Sequence, residues 1–403
     1  MQPAKPSNQV RDVAPEELLG RPQVHLDQEV VRQRIHGRVV MLTGAAGSIG
    51  SELCRQIAGF RPRALVGFDQ AEKPLFELAR ELGQSFPGLV FHPQIGNITR
   101  SDDVNRAMRQ YRPSIVYHAA ACKHVPLMEK HPFAAVENNV FGTWQVAASA
   151  AAHGVEYFVL ISTDKAVRPA SIMGATKRVA ELVIRSLRKN HGTRFVAVRF
   201  GNVLGSSGSV VPIFKEQIAA GGPVTVTHPD MQRYFMTASE AGQLVLQAFA
   251  LGQGGEVFVL DMGAPVRIVD LANNLIRLSG LEAGRNIKIE ITGVRPGEKL
   301  FEELKLQTEK ISPTLHPMIG SVVSTEQVDA ARIGVFLEEL QQAVTARDAV
   351  RLILSMKKLV PDYQPSSQLL NDVGLSTDTR AEPASGWRSD EASLVCPATI
   401  ATA

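Results

Sequence analysis

The stretch that decides the fold is Val39-Val-Met-Leu-Thr-Gly44-Ala-Ala-Gly47-Ser-Ile-Gly50. An apolar run is followed by glycines in the spacing GxxGxxG and then by a helical pattern, which is a variant of the dinucleotide-binding fingerprint. Glycines permit a tight turn and close approach of a ligand, and the first N–H groups of the helix attract a pyrophosphate. We therefore predict a nucleotide cofactor against Gly44, Gly47, Ser48, Ile49 and Gly50.

An acidic residue follows where a ribose ligand is expected. Asp69 ends the next apolar run, 19 residues after Gly50. A carboxylate there accepts hydrogen bonds from both ribose hydroxyls and repels a 2′-phosphate, which favours NAD over NADP. Lys73 follows shortly after Asp69 in the sequence, and a lysine there keeps NADP as the alternative cofactor.

Short apolar runs alternate with longer amphipathic stretches between Arg38 and Phe200. The predicted strands are 39–42, 64–68, 89–91, 115–117, 157–161 and 195–198, and the predicted helices are 48–58, 72–82, 102–109, 133–152 and 175–189. Strands that alternate with helices indicate βαβ units with right-handed crossovers. The sequence therefore predicts an α/β fold of the Rossmann type, with a doubly wound parallel sheet.

The pattern divides the chain into four segments. Residues 1–35 are a polar lead-in with a short helix near 15–19, and residues 36–200 form the NAD-binding domain. Residues 201–360 form a smaller substrate-binding portion that ends in helices, with strands at 257–260 and 287–291 and helices at 268–279 and 348–359. Residues 375–403 lack periodicity and are expected to be disordered.

The composition excludes several classes of protein. The 403 residues are 44% hydrophobic and 21% charged, with a net charge of +3, so nucleic-acid binding is not expected. No run of apolar residues is long enough to span a membrane, and no signal peptide is present, so we expect a cytoplasmic protein. The three cysteines lack the spacing of a metal site, and no metal is expected.

A second motif carries the chemistry. Thr163-Asp164-Lys165 follows a predicted strand, and Met173 and Lys177 have the spacing of a Tyr-x-x-x-Lys dehydrogenase pair, but without the tyrosine. A lysine lowers the pKa of such a phenol so that it takes a proton from an alcohol, whereas a thioether does not titrate. Either this chain has lost its chemistry, or a neighbouring group such as Asp164 or Lys165 moves the protons.

Together these motifs resemble the extended short-chain dehydrogenase/reductase superfamily, and within it the UDP-N-acetylglucosamine 4,6-dehydratases of bacterial polysaccharide biosynthesis. The matching strings are Thr43-Gly-Ala-Ala-Gly-Ser-Ile-Gly50, Ala119-Ala-Ala-Cys-Lys-His-Val-Pro-Leu-Met-Glu129, Glu137-Asn-Asn139, Ser162-Thr-Asp-Lys165, Met173-Gly-Ala-Thr-Lys177, Val198-Arg-Phe-Gly-Asn-Val-Leu-Gly205 and Arg295-Pro-Gly-Glu-Lys299. The chain is most similar to the branch with methionine in place of tyrosine, which usually carries an N-terminal membrane region. The segment 11–21 resembles the connection to that region, so the chain is expected to be a soluble form or an isolated catalytic part.

The resemblance implies a reaction without net redox. NAD⁺ takes a hydride from sugar carbon 4, water leaves from carbons 5 and 6, and the hydride returns to carbon 6. It implies Lys165 as the base at carbon 5, Asp164 as the acid for the carbon 6 hydroxyl and Thr163 as the partner of the carbon 4 oxygen. Lys177 would hold the nicotinamide ribose. The acceptor of the carbon 4 proton stays open between Asp164, Lys177 and an ordered water.

Further contacts are expected from the same resemblance and from the strand ends. Asn97 and Ile98 follow the third strand and would flank the adenine, and His118 and Ala119 follow the fourth and would line the nicotinamide side. His118 is more often a packed residue at such a position. The expected contacts to a UDP-sugar are Lys123, Asn202, Arg233, Arg295 and Glu298, with packing of the loop as the alternative for Lys123 and His124.

Three functions stay open at this stage. The leading one is NAD-dependent dehydration of a UDP-N-acetylhexosamine, and the alternatives are a nucleotide-sugar epimerase and a non-catalytic NAD-binding protein. A homo-oligomer is expected through helices 133–152 and 175–189, because the superfamily commonly pairs two long helices per subunit.

Overall fold

The computed structural model of the protein describes residues 27–187, 192–323 and 329–375. The helix predicted near 15–19 lies outside these residues, as do positions 188–189 of the predicted helix 175–189 and all of the predicted tail except Leu375.

The described residues form fifteen strands, and nine of them make one sheet at the centre of the molecule. The strands are β1 (Val39–Thr43), β2 (Ala64–Asp69), β3 (Phe91–Ile95), β4 (Ile115–His118), β5 (Tyr157–Ile161), β6 (Arg194–Arg199), β7 (Asn202–Val203), β8 (Val224–Val226), β9 (Gln232–Arg233), β10 (Phe235–Met236), β11 (Val257–Leu260), β12 (Val266–Arg267), β13 (Ile289–Ile291), β14 (Lys310–Pro313) and β15 (Ile319–Val323). The order in the large sheet is β14-β15-β11-β6-β5-β4-β1-β2-β3. Within this sheet of the described residues, the pairings of β15 with β11 and β14 are antiparallel and the others are parallel. The predicted Rossmann-type fold is confirmed.

Both faces of this sheet are covered by helices, and the described residues contain fourteen α-helices in all. They are α1 (Gln28–Ile35), α2 (Ser48–Gly59), α3 (Glu72–Ser85), α4 (Ser101–Tyr111), α5 (Val125–Lys130), α6 (Pro132–Val136), α7 (Thr143–Ala152), α8 (Ile172–Leu187), α9 (Val210–Ala219), α10 (Ala238–Leu251), α11 (Ile268–Leu278), α12 (Ala330–Thr345), α13 (Ala349–Leu359) and α14 (Ser367–Asp372). The five residues of β1 are all buried, as expected for a central parallel strand between two helical layers.

The register of the central strands places three loops side by side. Thr43 at the end of β1 lies opposite His118 at the end of β4, and His118 lies opposite Leu160 of β5. The chain therefore leaves β1, β4 and β5 at one edge of the sheet, next to the reversal in strand order between β1 and β4. Ligands of open α/β sheets bind at this position.

Two predicted elements differ from the observed ones by more than the exact position of their ends. The third strand is Phe91–Ile95 and not 89–91. It contains Pro93, which cannot donate to a ladder but is tolerated because β3 is the edge strand. The predicted single helix 133–152 consists of α6, a wider π-helical turn at Glu137–Gly142, and α7. An apolar periodicity does not distinguish these turns.

The lead-in and the smaller portion are both joined to the central sheet. Helix α1 begins inside the predicted lead-in, and its Val31 and Ile35 are fully buried in the main core. The predicted range 201–360 has a small core of its own between α9, α11 and β8, but its strands β11, β14 and β15 extend the large sheet. Among the described residues, no helix combines the length and the apolar character needed to cross a bilayer.

The C-terminal helices cover the helix pair that was expected to join two subunits. Nearly all residues of α8 are buried, and they share an apolar cluster with residues of α12 and α13 such as Leu340 and Leu352. Arg347, at the turn between α12 and α13, pairs with Glu137 at 3.4 Å. This face of α8 is therefore filled by the chain's own helices, and the expectation of a homo-oligomer has no support from it.

Candidate active site

The glycine-rich turn after β1 has room only for hydrogen at two positions. Gly44 has a φ of +70°, and a Cβ there would lie 2.5 Å from the backbone nitrogen of Ala120. A Cβ on Gly50 would lie 2.0 Å from the carbonyl oxygen of Gly44. Helix α2 begins after Gly47 without a side-chain cap, so its first N–H groups, from Ser48, Ile49 and Gly50, are available to a ligand.

A cavity of about 250 Å³ opens beside this turn. Its wall includes most of the predicted cofactor contacts, namely Gly44, Gly47, Asp69, Asn97, Ile98 and Ala119, together with Cys122 and Asn138. The Asp69 carboxylate accepts hydrogen bonds from the backbone N–H groups of Ala46 and Ala71, both at 2.9 Å. These bonds fix the carboxylate at the wall, while its remaining lone pairs stay available to hydroxyl groups of a ligand.

His118 is a packed residue within the core. It is fully buried, with Nδ1 2.6 Å from the Thr43 hydroxyl and Nε2 3.0 Å from the Thr143 hydroxyl. Burial, with a further contribution from Lys177, lowers the pKa of His118 to about 3, so the ring is neutral. Both ring nitrogens are occupied, and the ring therefore joins β4 to α7 instead of contacting a ligand.

Asp164 and Lys165 form an ion pair just beyond the end of β5. Lys165 Nζ lies 3.0 Å from Asp164 Oδ1 and donates to the side-chain oxygen of Asn202 at 2.8 Å. The Thr163 hydroxyl donates to the same Asp164 oxygen at 2.9 Å. The Asp164 side chain is fully buried, whereas the Lys165 side chain is 20% exposed.

The second oxygen of Asp164 is not used by the described residues. Oδ2 is buried and has no hydrogen-bond partner among them. A Cβ on Gly201 would lie 3.2 Å from this oxygen and 2.9 Å from the Cβ of Tyr234, so Gly201 packs closely beside it. A buried polar atom without a partner is costly, and it is expected where a substrate supplies the missing bond.

Met173 and Lys177 lie one turn apart in the first half of α8. Met173 is buried, and Lys177 donates from Nζ to the carbonyl oxygen of Ile161 at 2.7 Å. Burial lowers the pKa of Lys177 to about 8, although Glu181 opposes this effect. Lys177 is therefore attached to the end of β5, two residues before Thr163. Its amine releases its proton at a pH of about 8.

A buried cluster of charged residues contacts the chain just before the Thr163–Lys165 segment. The Arg199 guanidinium contacts Glu181 at 2.7 Å and Glu309 at 2.7 Å, and all three side chains are almost fully buried. Glu181 also accepts a hydrogen bond from the Ser162 hydroxyl at 2.6 Å. Since Ser162 directly precedes Thr163, the cluster fixes the start of the Thr163–Lys165 segment.

The predicted substrate contacts occupy different environments. Arg295 is 54% exposed and pairs with Glu298 at 2.6 Å. Lys123 is also exposed. Asn202 accepts a hydrogen bond from Lys165 and so contacts the Asp164–Lys165 pair.

Arg233, by contrast, is buried and donates to the carbonyl oxygens of Gln232 and Leu300. This is the arrangement of a residue that holds the backbone.

The buried carboxylates Glu129 and Glu302 are among those that were not predicted from the sequence. Glu129 accepts the N–H of Ile172 at 2.7 Å and the hydroxyl of Ser366, so it caps the start of α8. Glu302 is 9% exposed and lies 3.9 Å from Arg233. Nothing in the local sequence distinguishes them from surface glutamates, because their burial results from contacts between distant segments.

The sequence pattern of the family described as "Polysaccharide biosynthesis protein" matches residues 40–324. The chain belongs to this family. It is 51% identical over 355 residues to the probable polysaccharide biosynthesis protein EpsC of Bacillus subtilis, covering 87% of this chain and 58% of that protein. It is 53% identical over 312 residues to the capsular polysaccharide biosynthesis protein CapD of Staphylococcus aureus, covering 77% and 51%. The chain thus spans just over half the length of these curated relatives.

A relative with a named reaction is also present. The chain is 32% identical over 268 residues to the UDP-N-acetylglucosamine 4,6-dehydratase (inverting) of Campylobacter jejuni, covering 65% of this chain and 76% of that protein. Among solved structures, Pen from Bacillus thuringiensis is 34% identical with a TM-score of 0.66, covering 73% of this chain and 90% of that one. The UDP-glucose 4-epimerase of Thermus thermophilus in complex with NAD is 22% identical with a TM-score of 0.55, covering 66% and 89%, and shows the shared fold.

Proposed function

We propose that the protein catalyses the NAD-dependent dehydration of a UDP-N-acetylhexosamine, with UDP-N-acetylglucosamine as the expected substrate, to the 4-keto-6-deoxy sugar nucleotide. The observation that carries the proposal is the ion pair of buried Asp164 and partly exposed Lys165, 3.0 Å apart, at the same sheet edge as the glycine-rich turn. The membership in a polysaccharide biosynthesis family and the similarity to a named dehydratase support the same reaction.

The residues around the turn fit a dinucleotide. Gly44 and Gly50 leave the space that a Cβ would fill, the start of α2 offers N–H groups to a pyrophosphate, and Asp69 offers carboxylate oxygens to a ribose. When bound, NAD⁺ would store the hydride from sugar carbon 4 and return it to carbon 6. The Asp69 carboxylate would repel a 2′-phosphate, and we therefore propose NAD rather than NADP.

The catalytic pair can move the protons of water elimination. A proton that passes from Lys165 to Asp164 across the 3.0 Å contact converts the ion pair into an amine and a carboxylic acid. Lys165 then takes the proton from carbon 5, and Asp164 gives its proton to the carbon 6 hydroxyl, which leaves as water. When the hydride returns to carbon 6, the Lys165 ammonium gives its proton back to carbon 5, and Asp164 recovers the proton that the carbon 4 hydroxyl released. The unpartnered Asp164 Oδ2 is the proposed contact of the departing hydroxyl.

The carbon 4 hydroxyl needs a proton acceptor other than a phenol, because Met173 does not titrate. We propose that Thr163 bonds the carbon 4 oxygen and that the proton leaves toward Lys177, directly or through a water. The pKa of Lys177, lowered to about 8 by burial, supports this route. Asp164 is the alternative acceptor, since Thr163 donates to it at 2.9 Å. Arg295 and Asn202 are the proposed contacts to the UDP-sugar.

Product analysis tests the proposal. Purified protein is incubated with NAD⁺ and UDP-N-acetylglucosamine, and the product is followed by mass spectrometry and by proton NMR in deuterated water. Dehydration removes the mass of one water, whereas a nucleotide-sugar epimerase leaves the mass unchanged. NAD binding without turnover of any UDP-sugar identifies the third function, a non-catalytic NAD-binding protein.

Two variants connect the product to the pair. Asp164→Asn and Lys165→Met are expected to lower kcat at least about 100-fold while NAD still binds, because they remove the proton donor and the base. Asp270→Asn is the matched control, since Asp270 is exposed and pairs with Arg267 far from the turn. Full activity of Asp164→Asn contradicts the proposed mechanism.

A further inference from the structure

The chain just after β6 contacts both residues of the Asp164–Lys165 pair. The carbonyl oxygen of Phe200 accepts the backbone N–H of Asp164 at 3.0 Å. Two residues later, the side-chain oxygen of Asn202 accepts a hydrogen bond from Lys165 Nζ at 2.8 Å, a contact as close as the 3.0 Å between Lys165 and Asp164. Lys165 therefore has two oxygen neighbours, and the uncharged one comes from a different element of the fold.

The backbone of Asn202 is fixed by its neighbours. Asn202 lies on β7, which pairs with β10 in a parallel ladder. Its N–H donates to the carbonyl oxygen of Tyr234 at 2.9 Å, and the N–H of Leu204 donates to that of Met236 at 2.9 Å. A lysine side chain, in contrast, is long and flexible, and it loses much conformational freedom when it is held in one place. Asn202 therefore offers Lys165 a rigid point of attachment.

The chemistry of the two groups determines the orientation of the Asn202 amide. The Lys165 ammonium only donates and the amide nitrogen cannot accept, so Oδ1 faces Lys165. The amide nitrogen, Nδ2, donates to none of the described residues, and Asn202 is only half-buried. An amide oxygen contacts an N–H of a lysine and not the lone pair of its neutral form. Asn202 can therefore hold Lys165 in both protonation states while the lone pair stays available to a substrate.

We propose that Asn202 is a positioning residue for Lys165, with an amide oxygen that holds Nζ in place and an amide nitrogen that donates to the UDP-sugar. This inference rests on the proposed dehydration, in which Lys165 takes the proton from carbon 5. A base removes a proton only within hydrogen-bond reach of it, so a residue that fixes Nζ raises the rate of that step. A single amide thus joins the position of the base to the position of the substrate.

The chain offers variants of similar size and a matched control. Asn202→Leu removes the acceptor, whereas Asn202→Asp keeps an acceptor and adds a negative charge. Asn274→Leu is the control, because Asn274 is exposed on α11 and accepts a hydrogen bond from Arg277.

The first measurement is the rate at which acetic anhydride modifies Lys165 as a function of pH, in the full chain without substrate. Asp164, which contacts Lys165, and Glu302, which belongs to the same group of charges, are unchanged in all variants. In Asn202→Leu we expect the curve to move to lower pH by about one unit, because a hydrogen bond to the ammonium is lost. In Asn202→Asp it moves to higher pH, because a carboxylate replaces the amide. Curves of both variants that coincide with that of the wild type overturn the inference.

The second measurement is turnover of UDP-N-acetylglucosamine, with the absorbance of the reduced nicotinamide followed at the same time. In Asn202→Leu, kcat is expected to fall at least about tenfold, and reduced cofactor accumulates, because the carbon 4 hydride is still removed while the carbon 5 proton leaves slowly. Asn202→Asp keeps more of kcat but has a higher KM, since a carboxylate repels the diphosphate and cannot donate to it. Asn274→Leu behaves as the wild type in both measurements.

The two measurements also distinguish the inference from the proposed function. Opposite shifts of the Lys165 curve in a protein that turns over no UDP-sugar support the contact of Asn202 with Lys165 and refute the dehydratase. In an active dehydratase, a raised KM with unchanged kcat in Asn202→Leu makes Asn202 a substrate contact alone, and the inference fails. Loss of kcat without accumulation of reduced cofactor places the defect before the carbon 5 step and overturns the inference as well.

Discussion

Substitution of Glu181 by glutamine tests the buried cluster that fixes the start of the Thr163–Lys165 segment. Glu181 is fully buried and receives two hydrogen bonds from Arg199, at 2.7 and 2.8 Å, and one from Ser162 at 2.6 Å. The substitution keeps the shape of the side chain but removes its charge. Arg199, itself fully buried, then loses one of its two described carboxylate partners and keeps Glu309. Removal of one partner from a buried ion pair is strongly destabilising.

The pKa of Glu181 gives the magnitude. Burial raises it, but Arg199, Arg178 and the Ser162 hydroxyl lower it further, so that it falls from 4.5 to about 2. At about 1.4 kcal/mol per pH unit, this lowering of the pKa corresponds to roughly 3 kcal/mol of stability. Because the pKa of the folded state is the lower one, this stability is present above pH 4.5 and is lost as the pH falls toward 2.

Urea denaturation of the wild type and of Glu181→Gln at several pH values measures the effect. At about pH 7 we expect the free energy of unfolding of the variant to be lower by about 3 kcal/mol, and the difference to narrow below about pH 4.5. Glu339→Gln is the control, because Glu339 is 33% exposed and pairs with Lys358, and its change should stay within about 0.5 kcal/mol. A difference between wild type and Glu181→Gln that is below about 1 kcal/mol, or constant with pH, refutes the reasoning.

Three further predictions follow from single contacts. Gly50→Ala is expected to weaken NAD binding at least about tenfold, because its Cβ would lie 2.0 Å from the Gly44 oxygen, whereas Gly59→Ala in the same helix meets nothing within 4 Å and should bind normally in a fluorescence titration. Turnover should rise with pH through about 8 as Lys177 loses its proton, and wild-type-like turnover of Lys177→Met would exclude Lys177 as the carbon 4 base. Leu340→Ala should cost about 2–5 kcal/mol in thermal or urea unfolding, since Leu340 is fully buried between α8 and the C-terminal helices, and a cost below about 1 kcal/mol would show that this contact is loose.

The central fold could be predicted from the sequence because its signals are local. The apolar run of β1, the glycines after it and the alternation of strands with helices each arise within a short window. The edge strand β3 was displaced, since an edge strand with Pro93 has no continuous apolar run. The π-helical turn at Glu137–Gly142 was not predicted, because its residues continue the helical periodicity.

The candidate site was only partly accessible from sequence. The glycines and Asp69 share one cavity wall, because the strand order places the ends of β1, β2 and β4 together. The placement of Arg233, which holds the backbone at Leu300, and of His118 between two threonines depends on partners far away in the chain. The sequence contains these residues but not the contacts that define their roles.

The sequence by itself determined the strand–turn–helix at Gly44–Gly50 and the adjacency of Asp164 and Lys165, because turn geometry and neighbouring charges are properties of a short segment. The tertiary structure alone decided which charges are buried. Glu129, Glu181 and Glu302 are polar in any sequence window, and only the packing of distant segments removes them from water and surrounds them with cations or N–H groups. Burial depends on the whole fold, and it converts ordinary glutamates into groups that cap a helix or fix the segment that carries Asp164 and Lys165.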